Sequence, residues 1–424
     1  MSSPSGTGSA ATPPSGPVSG AVPPSGPVSG QRLPPAPGYG RSSVAEVLTS
    51  SAAVLGVPGF TNSLNLPAAK RVCVVMVDGL GWSLLKQRGG HAPFLRSFLP
   101  SARVLTAAFP TTTAASLASL GTGLPPGEHG MVGYDVLDPE QDKVVNMLGN
   151  WDAGVDPQRW QPHPTVLERV AEHLPVASVS LPRFADSAMT RAALRGGTFI
   201  GATGVHARVS AAVEALSGSP QMLMYLYWNE LDKAGHKHGA QSAQWGYQLE
   251  ELDSALKLLA ARLPADTLLL LTADHGMVDI APEHRYDFSG DPSLIAGVRH
   301  TAGEPRMVHL YLEPGAGVRD RDALMAAWQA AYGAKVWVAT REQAVAAGWF
   351  GPVVAPAVLP RIGDVLVLAR EPIALYDLRR MKSSSLEVVG QHGSLTRAER
   401  EVPLLQLAAP GPRRSPGAQG KGKK

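Results

Sequence analysis

The chain has 424 residues, 44% of them hydrophobic and 17% charged, which is enough to bury a large core in one domain with insertions or in two domains. The formal net charge is +3, but the tail from Pro410 holds five basic residues and no acid, so the rest of the chain is mildly acidic. This distribution excludes a strongly basic surface on the folded part, and we expect no specific nucleic-acid binding.

Targeting and membrane signals are missing from the sequence pattern. The N-terminus has no basic segment followed by an apolar one, as a signal peptide would, and no apolar run reaches the ~18 residues that a membrane span needs. The single cysteine, Cys73, excludes an internal disulfide and suits a reducing compartment. We therefore expect a soluble, cytoplasmic protein.

The two ends of the chain have compositions that do not favour a packed core. Residues 1–42 are rich in Pro, Gly and Ser, and Pro13–Gly20 repeats as Pro23–Gly30. Residues 410–424 form a basic polar tail. We predict that both ends are disordered and that residues 43–409 form one folded domain.

The first predicted strand is Val72–Val77, a continuous apolar run of the kind found in buried parallel strands. Asp78 follows it, and Gly79 begins the turn into a short predicted helix at residues 83–88. Asp-Gly after a strand is also ordinary turn chemistry, so Asp78 alone does not establish a site.

Three threonines, Thr111–Thr113, follow Pro110 and predict the N-terminus of a helix. The free N–H groups and the positive dipole end of such a helix would stabilise both an alkoxide and a bound phosphoryl group. One of the threonines can cap the helix while another acts as a nucleophile.

Met222–Tyr227 and Leu268–Thr272 are predicted as two more buried strands, and the helix between them begins after a plausible N-cap at Ser242. Strand–helix–strand order implies a right-handed crossover. We therefore predict an α/β fold with a mostly parallel sheet flanked by helices.

Ligands of such sheets bind outside the carboxyl ends of the strands. Asp78 and Asp274 each directly follow a predicted strand, and Asp232 lies a few residues after another. Their shared position predicts one joint site.

Two stretches interrupt the strand–helix pattern. Residues 135–220 are predicted as loops and short helices. Residues 281–385 are predicted as a small α/β insertion that walls the cleft. Its predicted elements are the strands Met307–Leu312, Lys335–Val338 and Asp364–Leu368 and the helix Asp320–Tyr332.

Two pairs of residues have the types and spacing of metal ligands. Asp232 and His236 are four residues apart, so a helical turn would place both side chains on one face. Asp274 and His275 are adjacent, and both reach one metal only if the chain turns, which Gly276 permits. By itself, the first pair is more often an N-capping Asp and a surface His, whereas the second is equally compatible with a strand-ending turn.

Asp78 and His392 complete a set of three carboxylates and three imidazoles. This is a ligand set for two divalent transition metals, with Zn²⁺ favoured and Mn²⁺ as the alternative. A two-metal site with an added nucleophile is suited to cleaving phosphate esters.

The order Asp, Thr, Asp-x3-His, Asp-His, His resembles the alkaline phosphatase superfamily, and within it the nucleotide pyrophosphatase/phosphodiesterase (type I phosphodiesterase) family. The resemblance runs from about Arg71 to His392 and is concentrated in five short motifs. It implies an alkaline-phosphatase-like three-layer core. It also implies one metal site formed by Asp232, His236 and His392 and another formed by Asp78, Asp274, His275 and the nucleophile.

The nucleophile of that family lies nine residues before a Thr-Gly pair, here Thr122-Gly123, which identifies Thr113, with Thr112 as the runner-up. The resemblance implies in-line attack by Thr113 and a covalent phospho-threonine that water then hydrolyses. Cleavage of phosphodiester or pyrophosphate bonds is the expected activity.

The expected substrate pocket matches the family only in part. Ala114 stands where nucleotide-cleaving relatives have an aromatic residue, and Tyr134 stands where they have an Asn that binds a phosphate oxygen. Asn146 or Asn150 could substitute for that Asn, and Tyr227 matches a Tyr that stacks on the base. The substrate is expected to be a small phosphoester, with a nucleotide as one option, and the protein a monomer or weak oligomer.

Two other functions remain open at this stage. A phosphomonoesterase or phosphonate hydrolase could use the same site, and a monoesterase would need a cation such as Lys233, Lys237 or Arg183. A catalytically silent metal-binding relative is the third reading, although all six ligands and the threonine are present.

Overall fold

The structure is a computed structural model that describes residues 32–149, 151 and 154–409. Its strands are β1 Arg71–Val77, β2 Arg103–Thr106, β3 Asp135–Asp138, β4 Lys143–Asn146, β5 Val176–Ser180, β6 Thr198–Gly201, β7 Met222–Trp228, β8 Thr267–Ala273, β9 Val278–Asp279, β10 Arg285–Asp287, β11 Val298–Glu304, β12 Met307–Leu312, β13 Val336–Thr340, β14 Val365–Ala369, β15 Ala374–Tyr376, β16 Gly390–Gln391 and β17 Glu401–Ala408.

Its α-helices are α1 Ala45–Val54, α2 Trp82–Gln87, α3 Pro93–Arg96, α4 Thr113–Thr122, α5 Pro126–His129, α6 Pro157–Trp160, α7 Val166–Ala171, α8 Ala188–Ala193, α9 Val205–Ser217, α10 Glu230–His238, α11 Ala243–Arg262, α12 Val318–Tyr332, α13 Arg341–Ala346 and α14 Arg397–Arg400. In the described part of the chain, no helix is long and apolar enough to cross a membrane.

A seven-stranded sheet with the order β2-β17-β8-β1-β7-β5-β6 forms the centre of the molecule. Strands β8, β1, β7, β5 and β6 pair in parallel, and β17 runs antiparallel between β8 and β2. Helices α1, α4, α7 and α8 contact one another, whereas α3, α10 and α9 contact α11. The predicted α/β fold, a mostly parallel sheet flanked by helices, is confirmed.

The three central strands are buried in the sheet because their side chains are apolar. Strand β1 is buried after its first residue, and β7 and β8 are buried along their whole length. Strands covered on both faces must be apolar at every position, which is why these runs do not alternate with polar residues. Their order brings the residues that follow β1, β7 and β8 to one edge of the sheet.

Helix α11 connects this edge back to the sheet and begins where the sequence predicts. The Ser242 hydroxyl accepts a hydrogen bond from the Trp245 N–H and so satisfies one free donor of the first turn. Trp245, Leu249 and Leu256 are fully buried, at spacings of four and seven residues, which are about one and two helical turns.

The insertion has a sheet and a hydrophobic core of its own. Strands β11, β12, β14 and β13 form a four-stranded antiparallel sheet. Helix α12 packs on β13, and Trp328 of this helix joins Leu310 and Val367 in a separate apolar cluster. The predicted small α/β insertion is therefore present, with its strands and helix within two residues of the predicted bounds.

Four strands of the main sheet were not predicted. β2 lies between the predicted helix at residues 83–88 and the three threonines, β5 and β6 lie in the stretch predicted as loops and short helices, and β17 lies near the C-terminus. Strand β5 reads Val-Ala-Ser-Val-Ser, and β6 lies at the sheet edge with partly exposed side chains. Small and polar residues lower the apparent strand propensity, and here pairing with β7 outweighs it.

The folded part begins before the predicted boundary at residue 43. The Trp349 indole N–H donates to the Pro34 carbonyl at 2.9 Å, and the Phe109 N–H donates to the Tyr39 hydroxyl at 2.9 Å. These contacts bind residues 34–42 to the body of the protein. Residues 1–31 and 410–424, which were predicted to be disordered, lie outside the described residues.

Candidate metal centre and active-site cavity

Six candidate ligands meet at the carboxyl edge of the central sheet. Asp78 follows β1 directly, Asp274 follows β8, and Asp232 lies in the first turn of α10. Gly79 has φ +75°, and a Cβ at this position would lie 3.1 Å from the Asp232 Cα. A glycine is therefore needed for the β1 turn to approach α10 so closely.

The first group of ligands consists of Asp78, Asp274 and His275, whose ligand atoms all lie within 4.8 Å of one another. His275 Nε2 is 3.4 Å from Asp78 Oδ1 and 3.5 Å from Asp274 Oδ2. The turn at Gly276 does not use a left-handed backbone, because its φ is not positive. A glycine is required there for space, since a Cβ would lie 1.9 Å from the Ala398 carbonyl oxygen.

The second group consists of Asp232, His236 and His392, again with ligand atoms within 4.8 Å. His236 Nε2 lies 3.3 Å from Asp232 Oδ1, one helical turn away, as the spacing predicts. The His392 ring stacks on His275 with the ring centroids 3.6 Å apart. This contact places the two groups next to each other.

All three imidazoles are oriented by backbone carbonyl groups. The Nδ1 atoms of His236, His275 and His392 lie 2.7, 3.0 and 2.8 Å from the carbonyl oxygens of Gly390, Gly276 and Thr111. A carbonyl oxygen only accepts, so each Nδ1 must carry the proton, which leaves the Nε2 lone pair for a metal. This is the usual outer-shell arrangement of metal-binding histidines.

The three carboxylates are largely buried and close together, so their charged forms are disfavoured unless a cation lies beside them. Burial, together with a contribution from the neighbouring acids, raises the pKa of Asp78 to about 8, that of Asp274 to about 7 and that of Asp232 to about 6. Asp232 Oδ1 and Asp274 Oδ2 are buried without a hydrogen-bond partner among the described residues. Buried acids with free oxygens, beside neutral imidazoles, fit divalent cations.

The three threonines before α4 make different contacts. The Thr111 hydroxyl donates to the Ser394 carbonyl and accepts from the Gly393 N–H, which holds the segment that carries His392. Thr112 is the N-cap residue, but its hydroxyl has no hydrogen-bond partner among the described residues. Thr113 Oγ1 lies 3.2 Å from His275 Nε2 and donates to Asp78 Oδ1 at 3.4 Å.

A cavity of about 460 Å³ opens onto both groups of ligands. Residues of the main sheet, of α4 and α8 and of the insertion line it. They include Asp78, Thr113, Leu117, Tyr134, Ser178, Ser180, Phe184, Met189, Leu194, Phe199, Tyr225, Tyr227, Asn229, Asp232, His236, Glu304 and His392. None of the described residues that line the cavity is a lysine or an arginine.

The predicted substrate contacts differ in their placement. Tyr134 lines the cavity and is 37% exposed. Tyr227 also lines the cavity, but its hydroxyl donates to Asp78 Oδ2 and so orients this candidate metal ligand. Asn146 does not line the cavity: its amide donates to Asp135 Oδ1 at 2.8 Å and its carbonyl accepts from the Leu148 N–H. Asn150 lies outside the described residues.

Several polar cavity residues were not singled out from the sequence, among them Ser178, Ser180, Tyr225 and Glu304. The alternation Ser178-Val-Ser180 is a strand signal, but it fell in a stretch assigned to loops. Tyr225 is two residues before Tyr227 and therefore faces the same side of β7. No local signal marks Glu304, because the fold of the insertion brings it to the cavity.

Comparisons with known proteins agree with this architecture. The model of a family described as type I phosphodiesterase / nucleotide pyrophosphatase matches residues 72–395. Human ectonucleotide pyrophosphatase/phosphodiesterase family member 5 is 25% identical over 228 residues, which are 51% of this chain and 47% of that protein. This match spans about half the length of that relative.

Two solved structures have similar folds. Murine ectonucleotide pyrophosphatase/phosphodiesterase 5 superposes with a TM-score of 0.62 at 19% identity, over 79% of this chain and 87% of that one. It has also been solved as an inactive threonine-to-alanine variant in complex with AMP. Phosphonoacetate hydrolase from Sinorhizobium meliloti 1021, in complex with phosphonoacetate, gives a TM-score of 0.61 at 20% identity, over 83% and 93% of the two chains.

Proposed function

The chain belongs to the type I phosphodiesterase / nucleotide pyrophosphatase family, and from this premise we propose that it hydrolyses phosphodiester or pyrophosphate bonds with Thr113 as the nucleophile. The observation that carries this proposal is the position of Thr113 Oγ1. It lies inside the cavity, within 3.4 Å of two candidate metal ligands, His275 and Asp78.

Two divalent metal ions are part of the proposal, with Zn²⁺ favoured by the Asp and His donors and Mn²⁺ as the alternative. Asp232, His236 and His392 would hold one ion, and Asp78, Asp274, His275 and Thr113 the other. When bound, such ions supply positive charge that favours the alkoxide form of a hydroxyl and neutralises phosphoryl oxygens.

The residues of the chain itself account for the positioning. Thr113 is the first residue of α4, and the Thr112 hydroxyl does not cap that helix. The free N–H groups of the first turn and the positive end of the helix dipole can therefore bind phosphoryl oxygens. Thr113 Oγ1 is held by its hydrogen bond to Asp78 in the position from which it would attack.

The reaction that we propose has two displacement steps. A bond forms between Thr113 Oγ1 and phosphorus while the bond from phosphorus to the leaving oxygen breaks. Water then attacks the phospho-threonine and releases Thr113. Two in-line displacements would retain the configuration at phosphorus.

The charge of the cavity supports a diester over a monoester substrate. A phosphomonoester carries an additional negative charge, for which a dedicated enzyme would supply Arg or Lys. Lys233, Lys237 and Arg183 are exposed, and none of them lines the cavity. A phosphomonoesterase or phosphonate hydrolase remains the second candidate, because the fold is shared with a phosphonoacetate hydrolase.

The proposal predicts that Thr113→Ala abolishes hydrolysis of a chromogenic phosphodiester. With added zinc, we expect kcat to fall by roughly 10³-fold or more, since the covalent route is lost. Thr112→Ala is the matched control, because the Thr112 hydroxyl makes no hydrogen bond to a candidate metal ligand. This variant should retain most of the activity. Mass spectrometry after acid quenching should detect a phosphoryl adduct on Thr113 of the wild type.

Other outcomes would change the assignment. Loss of activity in Thr112→Ala alone would move the nucleophile to Thr112. A preference for the matching phosphomonoester would favour the second candidate on the same site. No turnover of either ester by protein that holds two metal ions would favour a catalytically silent relative.

A further inference from the structure

The inner wall of the cavity is one face of strands β5 and β7. Ser178 pairs in register with Tyr225 of β7 and with Phe199 of β6. Ser180 lies two residues further along β5 and Tyr227 two residues further along β7, so their side chains point to the same face. The cavity thus extends from the metal ligands down to this wall.

Three hydroxyl groups on this wall have nothing to bind within the described chain. Ser178 Oγ, Ser180 Oγ and the Tyr225 hydroxyl are buried and make no hydrogen bond to any described residue. The three residues are only 5%, 3% and 2% exposed. Buried hydroxyl groups are usually paired, because an unpaired one costs free energy. A group that enters the cavity could supply the partners.

Other hydroxyls beside the same cavity are already paired. The Ser187 hydroxyl donates to Thr190 Oγ1 at 3.0 Å, and the Thr190 hydroxyl donates to the Phe184 carbonyl at 2.6 Å. These two hydroxyls therefore differ from the three on the inner wall, which have no partner among the described residues.

The electrostatic character of the inner end selects against charged ligands. The cavity lining also includes the apolar residues Leu117, Met189 and Leu194. No lysine or arginine among the described lining residues could pair with a carboxylate or a second phosphate. A charged group would therefore be buried there without a counterion.

Tyr227 already packs against two aromatic neighbours. Tyr225 stacks on Tyr227 with ring centroids 6.2 Å apart, and Phe184 packs against Tyr227 edge-on at 5.9 Å. Two neighbours thus already cover the Tyr227 ring. Ala114, next to Thr113, contributes no aromatic face.

We propose that the inner end of this cavity binds an uncharged, hydroxyl-bearing ester group of the substrate that carries no nucleobase, such as a polyol or sugar. Ser178, Ser180 and Tyr225 are the residues that determine this specificity. The proposal rests on the proposed function in one respect: the phosphorus of the substrate is taken to lie at Thr113.

Binding to catalytically inactive protein tests the proposal without turnover. Titration calorimetry on zinc-loaded Thr113→Ala protein would compare glycerol 3-phosphate with propyl phosphate, which lacks only the two hydroxyls. We expect glycerol 3-phosphate to bind about tenfold more tightly or better, because its hydroxyls pair with the wall. Thymidine 5′-phosphate should bind more weakly than glycerol 3-phosphate.

Wall variants make the test specific. Adding Ser178→Ala and Ser180→Ala should bring the ratio of the two affinities close to one and leave the affinity for propyl phosphate unchanged. Unchanged propyl phosphate binding also verifies that the variant is folded. Tyr225→Phe, which keeps the ring, should lower the ratio in part.

Equal affinity for the two phosphates, or a ratio that survives the wall variants, would overturn the proposal. Tighter binding of thymidine 5′-phosphate that depends on the two serines would overturn it in favour of a nucleoside. Turnover of methyl 4-nitrophenyl phosphate by the wild type separately tests the proposed function. A binding preference without turnover would reject that function while the specificity assignment stands.

Discussion

At the scale of single residues, the hydrogen bonds that neighbouring residues make to the candidate metal ligands define the site as much as those ligands do. Thr111 holds the segment of His392 through its backbone and its hydroxyl, and three carbonyl groups set the imidazole tautomers. Tyr227 donates to Asp78. None of these contacts follows from the identity of the ligands alone.

Tyr227→Phe is expected to weaken metal binding. The substitution keeps the ring and removes only the hydroxyl that orients Asp78. Loss of such an outer contact typically costs about 10–100-fold in metal affinity. Competition with a chromogenic chelator would measure the change.

The control for this measurement is Tyr247→Phe, at a tyrosine that is 64% exposed. It should leave metal affinity unchanged. An equal affinity of Tyr227→Phe and wild type would mean that Asp78 needs no support from the hydroxyl.

Glu304 predicts a pH-dependent stability effect. Both of its carboxylate oxygens are buried without a hydrogen-bond partner among the described residues. Burial raises its pKa well above the usual 4.5, although the nearby Thr112 hydroxyl lowers it somewhat. The folded protein therefore favours the neutral acid.

The sign of the effect follows from the raised pKa. The stability that the neutral acid contributes is fully present below about pH 4.5 and is lost as the pH rises through the folded-state pKa. The loss is at most about 1.4 kcal/mol for each pH unit. Glu304→Gln does not titrate, so its Tm should exceed that of the wild type increasingly as the pH rises from 4.5 to 8.

Thermal melts of both proteins across this range would measure the difference. Glu313→Gln, at an exposed glutamate of the same insertion, is the matched control and should follow the wild type. A difference between Glu304→Gln and wild type that does not change with pH would mean that Glu304 is ionised in the folded protein.

At the scale of elements, one buried ion pair joins the insertion to the C-terminal part of the main domain. Arg306, just before β12, binds Glu399 of α14 with two hydrogen bonds of 2.7 and 2.8 Å, and the two side chains are 1% and 0% exposed. Glu399 also accepts from the Ser394 N–H and the Thr396 hydroxyl. The pair thus connects the insertion to the segment that follows His392.

Arg306→Met is expected to destabilise the fold by about 3–5 kcal/mol, because Glu399 would stay buried without its partner. Urea unfolding would measure the loss. Arg397→Met removes an exposed arginine from its pair with Glu401 and should change the stability little. A similar small effect for Arg306→Met would mean that other donors suffice for Glu399.

At the scale of the whole molecule, the cavity belongs to no single element. The sheet provides Ser178 and Tyr225, the turn after β1 provides Asp78, α4 provides Thr113, and the insertion provides Glu304. A wall from the insertion was predicted, and Glu304 at the end of β11 lies there. That Glu304 in particular forms this wall was not predictable, since residues 281–385 contain no motif of catalytic or metal-binding residues.

The central architecture was predictable because its signals are local. The buried strands β1, β7 and β8 are continuous apolar runs, and α11 has both its N-cap and its apolar spacing in the sequence. Strands β2, β5, β6 and β17 were not predictable from propensity, because their place in the sheet depends on pairing with other segments of the chain.

By itself, the sequence determined the family and the candidate metal ligands, since each ligand belongs to a short motif next to a strand end, where the fold must bring such residues together. The tertiary structure decided which threonine lies against the ligands, that Tyr227 supports Asp78, and that Asn146 does not line the cavity. It also decided that the three hydroxyls of the inner cavity wall have no partner among the described residues. The partner of a polar side chain depends on which distant segments pack beside it, and no local pattern contains that information.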